Sequence, residues 1–240
     1  LEHFGYLQLD SVAVTGARTH SIVLGSRLAG MEAPLGETLL RPGEPVFEYW
    51  GHEACWLPMS LYPAFEFRRR EFRIHPWWGD LLGEHRALAD ALMRRVEEEG
   101  PLRSLDLEGE RGRGGWGSDK LAQKVMEALW SAGELAVRER QNFQRYFDLT
   151  ERVIPSEARE TRMAPEAALD SLLLRALDGH GWATTGTLAS TWRLKNKGPE
   201  IRDALARLVA RGEVLACDLD TPKRRVSGWI KPDALERAER

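Results

Sequence analysis

Gln8 and Asp10 stand two residues apart in an otherwise apolar run, Gly5-Tyr6-Leu7-Gln8-Leu9-Asp10-Ser11-Val12. Side chains alternate across a strand, so in an extended run both polar groups project from one face, roughly 6.5–7 Å apart at about 3.3 Å per residue. Leu7 and Leu9 then turn toward a core. An amide beside a carboxylate can hold one water between a positioning group and a base, which suits hydrolysis. The same pair also sits comfortably on the solvated face of a strand that does no chemistry, and spacing alone does not choose.

Other residue clusters carry weaker signals. The run Glu48-Tyr49-Trp50-Gly51-His52-Glu53 has metal-like composition but lacks the HExxH spacing of a zinc helix. No metal is expected there, and Tyr49, Trp50 and His52 read as aromatic support for a site. Arg68, Arg69 and Arg70, with Arg73, His75, Trp77 and Trp78, form the densest basic–aromatic cluster. It is either a solvated helix face or a contact to a nucleic-acid backbone. Lys120 and Lys124 share a helix face by spacing. Lys195, Lys197, Lys223, Arg224 and Arg225 fall where loop or wing tips are expected. The run 109–115 is glycine-rich but is followed by no GKS/T, so it reads as a linker and not as a phosphate loop.

Composition bounds the function class. The 240 residues are 42% hydrophobic and 30% charged, with a formal charge of −3, so any polyanion-binding surface is a local patch and not a global basic field. Cys55 and Cys217 are the only cysteines, which argues for a reducing compartment and against a disulfide scaffold or a cysteine zinc site. With no run of about 18 apolar residues and no signal peptide visible, the expected location is the cytoplasm. The opening Leu1-Glu2-His3-Phe4-Gly5 reads as the last turn of a helix closed by glycine, and the final Ala234–Arg240 stretch stops in a helical pattern. Both features suggest a chain that is truncated at each end.

A recurring unit must position these groups. Glu127–Val137 is an amphipathic helix end, then Gly133, then an alternating strand, and Ala206–Ala216 repeats it around Gly212. Leu1–Leu9 is a shorter third copy around Gly5. After two of these strands come a charged turn and a second strand, so Leu135–Arg138 is expected to pair with Phe143–Phe147, and Val214–Cys217 with Val226–Ile230. Helix, strand, charged hairpin, strand is a winged-helix arrangement. Ala167–Leu177, Trp182–Trp192 and Ile201–Arg211 read as its helices in the last copy, and Leu81–Glu99 as a separate long helix. The expected fold class is mainly α with small β hairpins (α+β), built from tandem winged helix-turn-helix motifs. The division is 1–46 for the remainder of a first winged helix with the catalytic strand, 47–108 for an aromatic, Arg-rich connecting region, 109–162 for a second winged helix and 163–240 for a third.

Three blocks carry a resemblance. They are Gly5–Val12 followed by Ala17-Arg18-Thr19-His20 and Ser26-Arg27-Leu28, then Phe47–Pro58, then Tyr146–Pro155. In them the chain resembles the YcaQ-like (AlkX/AlkZ) winged-helix DNA glycosylases. The resemblance implies a tandem winged-helix enzyme that removes cationic N7-alkylpurines from DNA, some relatives also unhooking interstrand crosslinks. The family's Gln-x-Gln or Gln-x-Asp pair falls on Gln8 and Asp10, and the Asp form points to the AlkX/YcaQ branch. The resemblance also implies helices before this strand and a β-rich region after the third winged helix, and the expectation is that this chain lacks both.

The resemblance makes Asp10 the group that stabilises oxocarbenium character and takes a proton from water, with Gln8 positioning that water. It makes Arg18, His20, Arg27, Arg68, Arg69, Arg70, Lys120 and Lys124 candidates for contact with DNA or the lesion. No lysine accompanies the pair, so a monofunctional enzyme is expected, without cofactor or metal. The expected partner is double-stranded DNA bearing alkylated or crosslinked purines, with no membrane, and with the protein acting as a monomer. The rival readings are a non-catalytic winged-helix DNA-binding or regulatory protein and a protein-interaction module.

Overall fold

The computed structural model describes residues 1–10, 18–30, 39–107, 118–238 and 240. Ser11 and Val12 of the opening run, and the 109–117 linker, lie outside them. Among the described residues the chain mixes helices with short antiparallel sheets, an α+β architecture.

The first sheet holds the candidate pair. Its strands β1 (Leu7–Gln8), β2 (Val46–Trp50) and β3 (Ala54–Pro58) lie in the order β1-β3-β2, all antiparallel. Leu7 faces Trp56 and Gln8 faces Cys55 across the ladder. The chain before β1 turns at Gly5, whose φ of 81° suits a residue without Cβ. An added Cβ would lie 2.9 Å from the Trp192 ring. After β1 comes α1 (Thr19–Gly25), and after β3 comes α2 (Glu66–Glu71).

The long helix expected over Leu81–Glu99 is two helices, α3 (Leu81–Glu84) and α4 (Arg86–Glu99), separated at His85 with φ −120°. The Asp80 side chain accepts from the Gly83 backbone N–H at 3.1 Å, so the short first turn is closed by a local cap. Gly100 ends α4 with φ 89°.

Both hairpins foreseen from the helix–glycine–strand recurrence are present. After α5 (Ser118–Ser131) the chain turns at Gly133 into β4 (Leu135–Gln141), which pairs antiparallel with β5 (Gln144–Leu149). A Cβ on Gly133 would come 2.5 Å from the Arg69 side chain. Phe143 lies in the turn and not in the strand, because Asn142 (φ 50°) and Phe143 (φ 69°) make the tight hairpin. Two-residue hairpin turns favour positive φ at both positions. A bulky side chain there is strained by about 1–3 kcal/mol and needs holding.

Two short helices, α6 (Thr150–Val153) and α7 (Ser156–Glu160), lead to the C-terminal unit. It comprises α8 (Pro165–His180), β6 (Trp182–Ala183), α9 (Thr185–Thr191), α10 (Gly198–Ala210), β7 (Leu215–Asp220), β8 (Arg225–Ile230) and α11 (Pro232–Ala238). Helix α8 starts with Pro165 and buries Ala168, Leu169, Leu172, Leu173, Ala176 and Leu177, a three-and-four spacing that gives one apolar stripe. Trp182 and Ala183 belong to a strand paired with β8, not to the helix expected over Trp182–Trp192. The Thr184 side chain accepts from Thr187 N–H at 3.1 Å and so caps α9, which begins at Thr185. One apolar core runs from Leu7 to Val214 and includes the fully buried rings of Trp56, Trp130 and Trp192. The Trp192 indole N–H donates to Leu172 O at 2.6 Å, so truncation to Ala would remove packing and a satisfied polar group at a cost of about 3–5 kcal/mol.

Candidate functional site

Alternation on the first strand is as the spacing requires. Leu7 and Leu9 are buried, Gln8 is exposed and Asp10 is half-buried. Leu9 N–H donates to Ala54 O at 2.9 Å, which continues the ladder past β1 and carries Asp10 toward the β2–β3 turn. The polar pair therefore lies on the outer edge of an anchored strand. A cleft of about 500 Å³ lies at the start of this strand, lined by Phe4, Tyr6, Leu7, Val23, Arg27 and His180, among others, but by neither Gln8 nor Asp10. Arg27 is exposed at this cleft, its guanidinium 5.2 Å from the Phe4 ring and its Nη1 donating to Val23 O at 3.3 Å.

The aromatic supports are tied across the core. Tyr49 is buried and donates its hydroxyl hydrogen to Ser131 O, and burial pushes its pKa well up, so it stays protonated. The Trp50 indole donates to Ser131 Oγ at 2.9 Å. His52 has Nδ1 3.0 Å from Ser190 O, so Nδ1 carries the hydrogen, and its ring stacks with Tyr6 at 6.3 Å. These contacts fasten the sheet to the end of α5 and to α9. The Glu48 carboxylate accepts from Arg140 twice at 2.6 Å and from Arg145 at 2.6 Å. Burial alone would raise its pKa, but the two guanidinium groups outweigh that and hold it below the usual carboxylate value. Among the described residues no three metal-ligating side chains converge.

Several expected DNA contacts prove to be internal. His20 is fully buried, its ring 4.9 Å from Trp56 and stacked with Phe143 at 6.1 Å, so it packs the start of α1 and does not face DNA. Arg18 lies with its guanidinium 4.2 Å from the same Phe143 ring, and Arg140 lies over it at 4.3 Å. The strained hairpin tip is thus held by cations and by His20. Arg68 is buried and donates to Trp50 O at 2.6 Å, Gly51 O at 3.0 Å and Trp192 O. Burial lowers its pKa, and three carbonyls satisfy its donors, so it is a tie within the protein and not a phosphate contact. Arg69 donates to Tyr62 O at 2.9 Å with its guanidinium 3.9 Å from the Tyr62 ring, which commits it likewise. Arg70 alone of the three is exposed, and it pairs with Glu66 at 2.5 Å. Lys120 and Lys124 are both exposed, one turn apart on α5. The Glu48–Arg140–Arg145 cluster and the Phe143 clamp went unforeseen, because they join residues more than ninety positions apart and no local pattern marks them.

A Streptomyces sahachiroi DNA glycosylase AlkZ structure matches with TM-score 0.46 and 16% sequence identity, over 81% of this chain and 54% of that one. The chain thus spans about half the length of that relative. The family model described as DNA glycosylase AlkZ-like matches residues 1–240, and the chain belongs to that family.

Proposed function

We propose that this protein is a monofunctional DNA glycosylase that hydrolyses the N-glycosidic bond of cationic N7-alkylated purines in double-stranded DNA, interstrand crosslinks included. The observation that supports the reading is the placement of Gln8 and Asp10 on the outer edge of a strand whose alternate residues are buried. An N7-alkylguanine is positively charged and already has a weakened glycosidic bond. As the base departs, positive charge grows on the sugar. The Asp10 carboxylate stabilises that charge and accepts a proton from the attacking water. Gln8 does not titrate, and its amide both donates to and accepts from that water, so it orients it. Part of the driving force comes from the substrate's own charge, which lessens the need for an enclosing pocket and admits bulky lesions.

We read the two hairpin units as winged helices, with the boundaries near 46, 108 and 162, acting as a monomer without metal or cofactor. Release of N7-methylguanine from a duplex is the direct test. Binding of that duplex without release would leave a non-catalytic DNA-binding protein.

A further inference from the structure

A second cleft, of about 290 Å³, is lined by the β2–β3 turn, and neither Gln8 nor Asp10 lines it. Its walls include Trp50, Glu53, Trp77, Arg193, Lys195 and Lys197. Trp77 is 60% exposed, although its ring meets Trp50 edge-on at 5.5 Å. Trp50 itself is fixed by its bond to Ser131, so Trp77 is propped open on a rigid base. A large ring left in water beside a cleft is the informative kind of exposure, because burying it is worth about 25 cal/mol per Å².

The opposite wall is cationic. Arg193 is held by Glu53, and Lys197 by Glu71 at 2.8 Å while it lies 5.2 Å from the Phe67 ring. Lys195 is exposed and makes no ion pair among the described residues. With Arg68 at the floor, four cations face two carboxylates, Glu53 and Glu71, a local excess of two on a chain whose net charge is −3. The loop that presents Lys195 carries left-handed backbone at two non-glycine residues, Arg193 (φ 49°) and Asn196 (φ 59°). Such strain persists where surrounding structure imposes it, and it concentrates at binding sites. Here Leu194 N–H donates to Ala189 O at 2.9 Å, and Arg68 binds Trp192 O just before the loop.

We propose that this cleft takes one unstacked nucleotide of a DNA strand, its base against Trp77 and its phosphate toward Lys195. A nucleotide joins a flat π-face to an anion, which is the pairing this cleft offers. The volume suits one ring system, standing just below the roughly 300–1,000 Å³ of small-ligand sites. Its position agrees, because the turn that lines it continues into β3, whose Ala54 O accepts from the N–H of Leu9, the residue before Asp10. The proposal rests on DNA being the partner, as in the functional reading above, but not on catalysis.

The test compares two duplexes, one with a single unpaired 2-aminopurine and the same duplex fully paired. Wild-type protein is expected to quench the unpaired base by stacking. Trp77→Ala is expected to lose about tenfold or more in affinity for the unpaired-base duplex and to change affinity for the paired one by no more than about twofold. Trp77→Phe keeps most of the binding. Lys195→Glu weakens both complexes and lowers the salt slope by about one. Unchanged quenching and affinity in Trp77→Ala, or an equal loss on both duplexes, overturns the proposal, as does a wild-type protein that binds neither. Asp10→Asn separates the two readings. Base release that needs Asp10, with Trp77 indifferent, removes only the cleft; Trp77-dependent binding without base release removes only the catalytic assignment.

Discussion

The Glu48 carboxylate is shielded from solvent and accepts from both Arg140 and Arg145, so its charge is structural. Removing one member of a buried pair leaves uncompensated charge, and Glu48→Ala is expected to cost about 3–5 kcal/mol in urea unfolding. A loss below about 1 kcal/mol would mean the cluster is hydrated in solution. Because its pKa is depressed in the fold, its contribution is present above the ordinary carboxylate value and is lost as pH falls through the folded one. Glu48 illustrates what the sequence hides at this scale. A Glu in an aromatic run reads equally as ligand, support or surface, and only the distant hairpin decides. The placement of Gln8 and Asp10 was legible because its signal is local: strand period puts both on one side, opposite Leu7 and Leu9, which are buried.

At the scale of elements, the β4–β5 hairpin tip reaches back to the start of α1. Phe143 sits in left-handed backbone with the Arg18 and Arg140 guanidinium groups over its ring, and it stacks on His20. Phe143→Ala is expected to cost about 1–2 kcal/mol, less than the 3–5 of a fully buried ring. Hydrogen exchange over residues 19–25 should speed up while α10 stays protected. Equal protection of α1 in wild type and variant would show that the clamp does not hold that helix. The loop around His75 gives a pH signature. Burial lowers the His75 pKa to about 4. Between about 6.5 and 4 the unfolded chain then binds more protons, so stability is full above 6.5 and falls as pH drops through that window. His75→Phe should flatten that part of the stability profile, and an unchanged slope would assign it to other groups. The hairpins themselves were legible from Gly133 and Gly212, whose φ values of 83° and 71° suit glycine at the turn out of each helix. The break at His85 and the strand at Trp182 were not, since the first rests on a local cap at Asp80 and the second on pairing with β8 nearly fifty residues away.

Over the whole molecule, long-range ties decide which charges remain for a partner. Arg68 looked like the centre of a basic patch, yet it joins the β2–β3 turn to Trp192, 124 residues away. No helix among the described residues is long and apolar enough to cross a membrane. With net charge −3, the proposed DNA affinity must come from local groups, and the exposed Lys120 and Lys124 share one helix face. Replacing both with Ala is expected to lower the salt slope of duplex binding by about two. An unchanged slope would place the contact elsewhere on the surface. The catalytic assignment is tested most directly by single-turnover release of N7-methylguanine from duplex DNA at saturating protein, comparing wild type with Asp10→Asn and Gln8→Ala. Asp10→Asn keeps shape and removes the charge and the base, so release should slow by about 10²-fold or more while DNA affinity holds. Gln8→Ala should slow it through loss of water positioning. Wild-type rates in both variants would contradict the account and return the pair to the solvated edge of an ordinary strand.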